Sequence, residues 1–275
     1  MTSKGVALIT GAGKGIGKAI ALRLARDGYN IAINDIDSGA LHQVKKEIQE
    51  VERVEVITHI GDVSKEQVVI EMVSLTTEKL GGLDVMVANA GIFLAKHFLD
   101  CTLEDWDKSF DINGKGVFLC YKYAAKKMIE QGRGGRIIGA CSRAGKQGKV
   151  SLPLNEPLAF PAKEILALAL KPHGITVNSY APGTSINYGL VSLLKAFMLG
   201  LIDTPLGTQL IEDLKSLGSA PITEKLGTPE DVAGLVSYLA SKEASYITGQ
   251  SVSVSAQASG VNITQICIAD TENID

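Results

Sequence analysis

The chain has 275 residues, of which 45% are hydrophobic and 21% charged, and its net charge is −3. That length suits one large α/β domain with a sizeable core. The slightly acidic balance excludes an electrostatic nucleic-acid binder, which would need a basic surface. From the N-terminus, apolar runs of strand length alternate with segments of helical period. Val6 to Ile9 reads as a short buried strand, and Gly15 to Asp27 as a helix stopped by Gly28. Ile31 to Ile33 is the second strand. Leu41 to Val51 is helical, with Leu41, Val44, Ile48 and Val51 on one face. Val54 to Ile60 is the third strand, Glu66 to Leu80 a helix ended by Gly81-Gly82, and Leu83 to Ala88 the fourth strand.

Thr102-Leu103-Glu104-Asp105 has the form of a capping box, and a long helix is expected from Asn113 to Gln131. Arg136 to Cys141 and Ile175 to Ser179 read as strands. Thr228-Pro229-Glu230-Asp231 opens a helix that runs to about Ser241, with proline at its first position. Val252 and Val254 close the sheet. Strands alternating with helices imply a doubly wound, mainly parallel sheet with helices on both faces, the Rossmann type of α/β fold. Residues 1–254 are expected to form a single dinucleotide-binding and catalytic domain, and 255–275 a polar tail.

Other features exclude further classes. The cysteines, Cys101, Cys120, Cys141 and Cys267, lack metal-ligand and CxxC spacing, and His42, His59, His97 and His173 are scattered, so no metal site is expected. Reduced thiols suit the cytoplasm. The apolar run Val6 to Thr10 is too short for a signal peptide. The longest apolar stretch, Leu190 to Ile202, carries Lys195 and Gly200 and falls short of the roughly 20 residues of a membrane span. Lys122, Lys126 and Lys127 read as a solvated helix face.

The strongest motif is Thr10-Gly11-Ala12-Gly13-Lys14-Gly15-Ile16-Gly17, which follows a strand and opens a helix. Glycines there let the backbone approach a pyrophosphate, and the helix N-terminus offers free N–H groups and a positive dipole end. Asp35 ends the second strand, roughly 20 residues after the glycines, where an acid accepts from the adenosine ribose and repels a 2′-phosphate. This favours NAD. Lys14 pulls towards NADP, because a cation in the glycine loop suits a 2′-phosphate.

With these residues the chain resembles the short-chain dehydrogenase/reductase family. Gly61-Asp62-Val63 looks like the family's adenine-contacting segment, and Asn89-Ala90-Gly91 like the motif that shapes its cofactor cleft. Asn113 matches its helix asparagine, Pro182-Gly183 the motif near the nicotinamide, and Gly249-Gln250 the lead-in to the last strand. Ala140-Cys141-Ser142 and Tyr238-Leu239-Ala240-Ser241 are worded most like the diacetyl/acetoin reductase and butanediol dehydrogenase branch. The resemblance implies a small ketone, diketone or secondary alcohol as substrate, and a homodimer or homotetramer.

The family's chemistry implies a serine that polarises the carbonyl, a tyrosine acid, a lysine that lowers the tyrosine pKa and holds the nicotinamide ribose, and an asparagine that holds a water. Ser142 and Asn113 match two of these. The Tyr-x-x-x-Lys pair is degraded, since the chain has no tyrosine between Tyr123 and Tyr180. In Ala159-Phe160-Pro161-Ala162-Lys163, either Lys163 is the family lysine with Ala159 in the tyrosine's place, or it is a surface residue. Pro153, Pro157 and Pro161 are expected to break the start of a continuous helix. Residues 149–170, 184–200 and 255–275 depart from the family pattern, either as genuine remodelling or as errors in the gene model. Three readings stay open: an oxidoreductase with a substitute proton donor (water relayed by Asn113 or Lys163, or Tyr188), a nucleotide-binding pseudoenzyme, and a remodelled non-redox enzyme.

Overall fold

The computed structural model describes residues 3–92, 98–141, 159–182 and 227–254, without the side chains of 98 and 159–163. The elements in chain order are β1 (Val6–Thr10), α1 (Gly15–Arg26), β2 (Asn30–Asp35), α2 (Ser38–Val51), β3 (Val56–Ile60), α3 (Glu66–Leu80) and β4 (Val85–Ala88). Then come α4 (Leu103–Ser109), a π-helical segment (Phe110–Gly116), α5 (Val117–Gln131), β5 (Gly135–Ala140), α6 (Ala159–Leu170), β6 (Ile175–Pro182), α7 (Pro229–Ala240) and β7 (Ser251–Val254). The strands form one seven-stranded sheet in the order β3-β2-β1-β4-β5-β6-β7. Every neighbouring pair is parallel. Strand order reverses between β1 and β4, which opens a crevice at their C-terminal ends, the usual place for a ligand in such sheets.

The central strands are buried on both faces, which is why they read as unbroken apolar runs rather than alternating ones. Their two-residue period divides them between two cores. Ala7, Ile9, Ile31, Ile33, Val85 and Val87 face the layer that contains α1, α2 and α7. Leu8, Ala32, Met86, Ala88, Ile137 and Val177 face α3, α5 and α6. The face predicted for α2 is borne out for Leu41, Val44 and Ile48, which are buried, while Val51 is exposed at the helix end. Both expected capping boxes form. Thr102 accepts from the Asp105 N–H and Thr228 from the Asp231 N–H, and each aspartate accepts in return from the cap backbone.

Two helices differ from expectation. The helix expected without interruption from Asn113 begins instead inside the π-helical segment Phe110–Gly116, and regular α-helix starts at Val117. Pro161 does not prevent a helix. It falls in the first turn of α6, where backbone N–H groups have no intrahelical partner and proline is tolerated. Pro153 and Pro157 lie outside the described residues. The basic cluster on α5 is partnered. Lys122 pairs with Glu66 at 2.8 Å, Lys127 with Glu130 at 3.3 Å, and Lys126 lies over the Tyr123 ring.

His59 on β3 has a buried Nδ1 with no partner among the described residues. Desolvation holds its pKa below the ordinary imidazole value, against a smaller opposing pull from the Glu71 carboxylate. The unfolded chain therefore binds the His59 proton first as pH falls, so this residue's stabilisation is present above about pH 6.5 and is lost below it. His59→Leu should flatten the dependence of the urea midpoint on pH between about pH 7 and 5. An unchanged slope would show that His59 does not contribute to it.

Candidate active site

The glycine loop runs from β1 into α1 at the reversal of strand order. The Ala12 N–H donates to the Asn34 carbonyl at 2.9 Å, which pins the loop to β2. A Cβ at Gly17 would meet the Gly11 carbonyl and the Asn89 side chain, so helix and loop close only on a hydrogen at this position. A Cβ at Gly13 would lie 2.9 Å from Asp35 Oδ2. That closeness is used, since the Gly13 N–H donates to the same oxygen at 2.9 Å. The N-cap of α1, Lys14, makes no side-chain capping bond, and the first turn holds no acid. The first N–H groups of α1 thus have no intrahelical or N-cap side-chain acceptor and lie at the positive end of the helix dipole, as an anion site requires.

Asn89, directly after β4, binds this loop to the rest of the sheet. Its Nδ2 donates to the Thr10 and Gly11 carbonyls at 2.9 and 3.1 Å. The Asn89 and Ala90 N–H groups both donate to the Thr10 hydroxyl at 3.0 Å. On the other side, the Tyr180 hydroxyl of β6 donates to Asn89 Oδ1 at 2.6 Å. Gly91 abuts Asn113, whose Oδ1 would lie 3.1 Å from a Cβ there. Asn113 sits in the π-helical segment. Its Oδ1 accepts from the Ile92 N–H at 2.8 Å, and its Nδ2 donates to the Ile92 carbonyl at 2.9 Å.

Of the sequence-predicted residues, Gly11, Gly13, Lys14, Gly15, Ile16, Gly17, Asp35, Asn89, Ala90, Gly91 and Asn113 therefore share one connected region. Asp62 lies in the loop after β3, where its Oδ1 accepts from the Ser64 N–H at 2.8 Å. Val63 is buried and packs against Gly116. Pro182 ends β6. Ser142, Gly183 and Tyr188 lie outside the described residues, as do residues 184–200 and 255–275, while Lys163 is placed on α6 by its backbone alone. Two contributors were not singled out from the sequence. Asp37 N-caps α2 and holds Lys14 at 2.8 Å, and an aspartate just before a helical period was the available signal. Tyr180 carries no local signal of its role, because its bond to Asn89 joins positions 91 residues apart. Neither Tyr180 nor Tyr121 has the environment of an acid that ionises. Both are buried, and desolvation pushes each phenol far above its ordinary range. Among the described residues there is no cluster that could hold a metal, and no helix long and apolar enough to cross a membrane.

Comparison with known proteins agrees with this geometry. A family model described as short chain dehydrogenase matches residues 5–154, and one described as enoyl-(acyl carrier protein) reductase matches 194–256. The chain belongs to the short-chain dehydrogenase/reductase family. A short-chain dehydrogenase/reductase of Armillaria gallica is 44% identical, over 90% of this chain and 94% of that protein. A diacetyl reductase [(S)-acetoin forming] of Staphylococcus epidermidis is 38% identical, over 90% of this chain and 95% of that protein. The solved structure of 3-ketoacyl-(acyl-carrier-protein) reductase from Brucella melitensis complexed with NADH superposes with a TM-score of 0.76 at 26% identity, covering 92% of this chain and 97% of that one.

Tyr180→Phe removes the one partner of Asn89 Oδ1 among the described residues and should destabilise the fold by about 1–3 kcal/mol in urea titration. Asn89→Ala frees the Thr10 and Gly11 carbonyls as well and should cost more. Unaltered stability in Tyr180→Phe, together with a loss of ketone reduction, would instead assign that hydroxyl to the chemistry.

Proposed function

We propose that this chain is a cytoplasmic, NAD-preferring oxidoreductase that passes a hydride between the nicotinamide and a small ketone, diketone or secondary alcohol. The observation that carries this reading is the Asp35 carboxylate held against the glycine loop. Each of its oxygens accepts one backbone N–H, from Gly13 at 2.9 Å and Asp37 at 3.1 Å. A carboxylate accepts about four hydrogen bonds, so capacity remains for ribose hydroxyls. Gly11, Gly13, Gly15, Ile16 and Gly17 form the floor for a pyrophosphate, and a Cβ at Gly13 would press on Asp35 while one at Gly17 would push the loop off the helix. In this reading Asp62 and Val63 border the adenine, Asn89, Ala90 and Gly91 shape the cleft, and Pro182 and Gly183 lie beside the nicotinamide.

The bound cofactor supplies or accepts the hydride. Ser142 holds the substrate oxygen, and Lys163 holds the nicotinamide ribose. Asn113 has one N–H and one lone pair left after bonding Ile92, enough to hold a water. Because Ala159 stands in the place of the family tyrosine, the proton for the oxygen comes through that water, from Lys163 or from Tyr188. Loss of a positioned acid costs on the order of 10²–10⁴ in rate, so turnover is slow. The substrate class follows the diacetyl reductase of Staphylococcus epidermidis. Phe118 on α5 and Ile165 and Leu168 on α6 are exposed apolar residues that support a homodimer or homotetramer built on these helices.

A second reading is favoured by the burial of Tyr121 and Tyr180, which leaves neither phenol to replace the missing acid. The chain would then bind the dinucleotide without reducing a substrate, as a partner subunit or sensor. NADH oxidation against diacetyl and acetoin, with NADH binding measured on the same preparation, separates the two. Slow turnover that rises by about 10²-fold or more in Ala159→Tyr supports the oxidoreductase. Binding with no turnover until the tyrosine is introduced supports the second reading. Absence of NADH binding would reject both.

A further inference from the structure

Lys14 and Asp35 make opposite demands on the cofactor, and both are bonded to Asp37. The Lys14 ammonium donates to Asp37 Oδ2 at 2.8 Å. The other Asp37 oxygen, Oδ1, accepts from the Ala40 N–H at 3.0 Å and caps α2. The Asp37 backbone N–H donates to Asp35 Oδ1, and the Gly13 N–H to Asp35 Oδ2. Lys14, Asp35 and Asp37 thus form one set at the edge of the glycine loop. The nearby cation of Lys18 is separately paired with Glu47 at 2.8 Å. Hydrogen bonding between Lys14 and Asp37 raises the lysine pKa and lowers that of the aspartate, so both are charged at neutral pH. Asp35 adds a smaller Coulombic pull on Lys14 in the same direction.

Two carboxylates and one ammonium leave the set with negative charge in excess. A phosphate monoester carries about −1.5 to −2 at pH 7 and needs a surplus of cation. Lys14 cannot supply that surplus while Asp37 neutralises it. The pair itself is weak, since its side chains are 63% and 44% exposed. The effect is therefore one of occupying the Lys14 ammonium, which a 2′-phosphate would otherwise meet, rather than of a rigid lock.

We infer that Asp37 is a specificity-determining residue which cancels the charge of Lys14, so that the site takes a dinucleotide with a free 2′-hydroxyl and rejects one with a 2′-phosphate. The inference rests on the cofactor reading given above. The two oxygens of Asp37 have separate tasks, so the charge can be removed without the cap. Asp37→Asn keeps an oxygen for the Ala40 N–H, and Asp37→Ser is a second residue that caps well.

The experiment titrates NADH and NADPH against the full chain by isothermal calorimetry at about 0.1 M salt, where exposed charges still act over roughly 10 Å. Thermal melting of each variant verifies folding. Asp37→Asn or Asp37→Ser should shift the NADPH-to-NADH affinity ratio towards NADPH by roughly three- to tenfold. Asp37→Glu, which restores the charge, should return the ratio towards the parent value. In a Lys14→Met background the gain from Asp37→Asn should fall by about half or more, since the lysine it would release is gone. A folded Asp37 variant that binds NADH with an unaltered ratio overturns the inference and leaves the cofactor reading standing. A parent chain that binds neither dinucleotide overturns the cofactor reading and this inference with it.

Discussion

The carboxamide of Asn89 is the interaction on which the rest of the site depends. One side chain donates to the ends of β1 and accepts from β6, while its own backbone extends β4. These are strands on both sides of the point where sheet order reverses. A parallel sheet gives each strand end no covalent link to its neighbour at that edge, because every connection crosses a helix layer before returning. A short amide with two donors and an acceptor supplies the missing tie. An aspartate there would turn a charge towards two carbonyls, and a leucine would leave them without donors.

From that tie the site divides by polarity. On the β1–β2 side the loop is fixed by backbone N–H groups and carboxylates, and charge governs what can approach. On the β5–β6 side the layer beneath the crevice is apolar and closely packed. The Tyr121 hydroxyl stands where a Cβ on Gly139 would go, and Cys120 is fully buried, its thiol pushed up to about 12. Groups of this second kind shape the floor and stay neutral.

Local signals were legible in the sequence, and long-range ones were not. The glycine loop, the apolar strand runs and both capping boxes depend on residues a few positions apart, so their spacing carries them. The parallel sheet followed from the alternation of elements, while its strand order did not, and β2 and β6 extend beyond the apolar residues that marked them, because Asn30, Asp35 and Pro182 pair at their ends. The π-helical segment had no such mark. Its apolar spacing is compatible with an ordinary helix, and the wider turn coincides with Asn113 bonding to Ile92 across the cleft, as such turns at functional sites often do. Asp35 was recognisable by its distance from the glycines. The bond of Asp37 to Lys14 spans 23 residues and two elements, and no periodicity encodes it.

The position of β7 has a consequence for how the chain acquires this shape. Among the described residues it pairs only with β6, and it brings residues 251–254 to an edge whose neighbour began forming at residue 175. During synthesis β6 therefore emerges well before the strand that covers it. Its eight residues are almost wholly buried in the finished protein. Until β7 arrives the last four of them, Ser179 to Pro182, present an unpaired edge, the kind of surface that recruits a strand from another chain. Parallel pairing of distant segments is also slow. The interval between translation of β6 and docking of β7 is thus the period in which this protein most depends on chaperones or dilution to avoid aggregation.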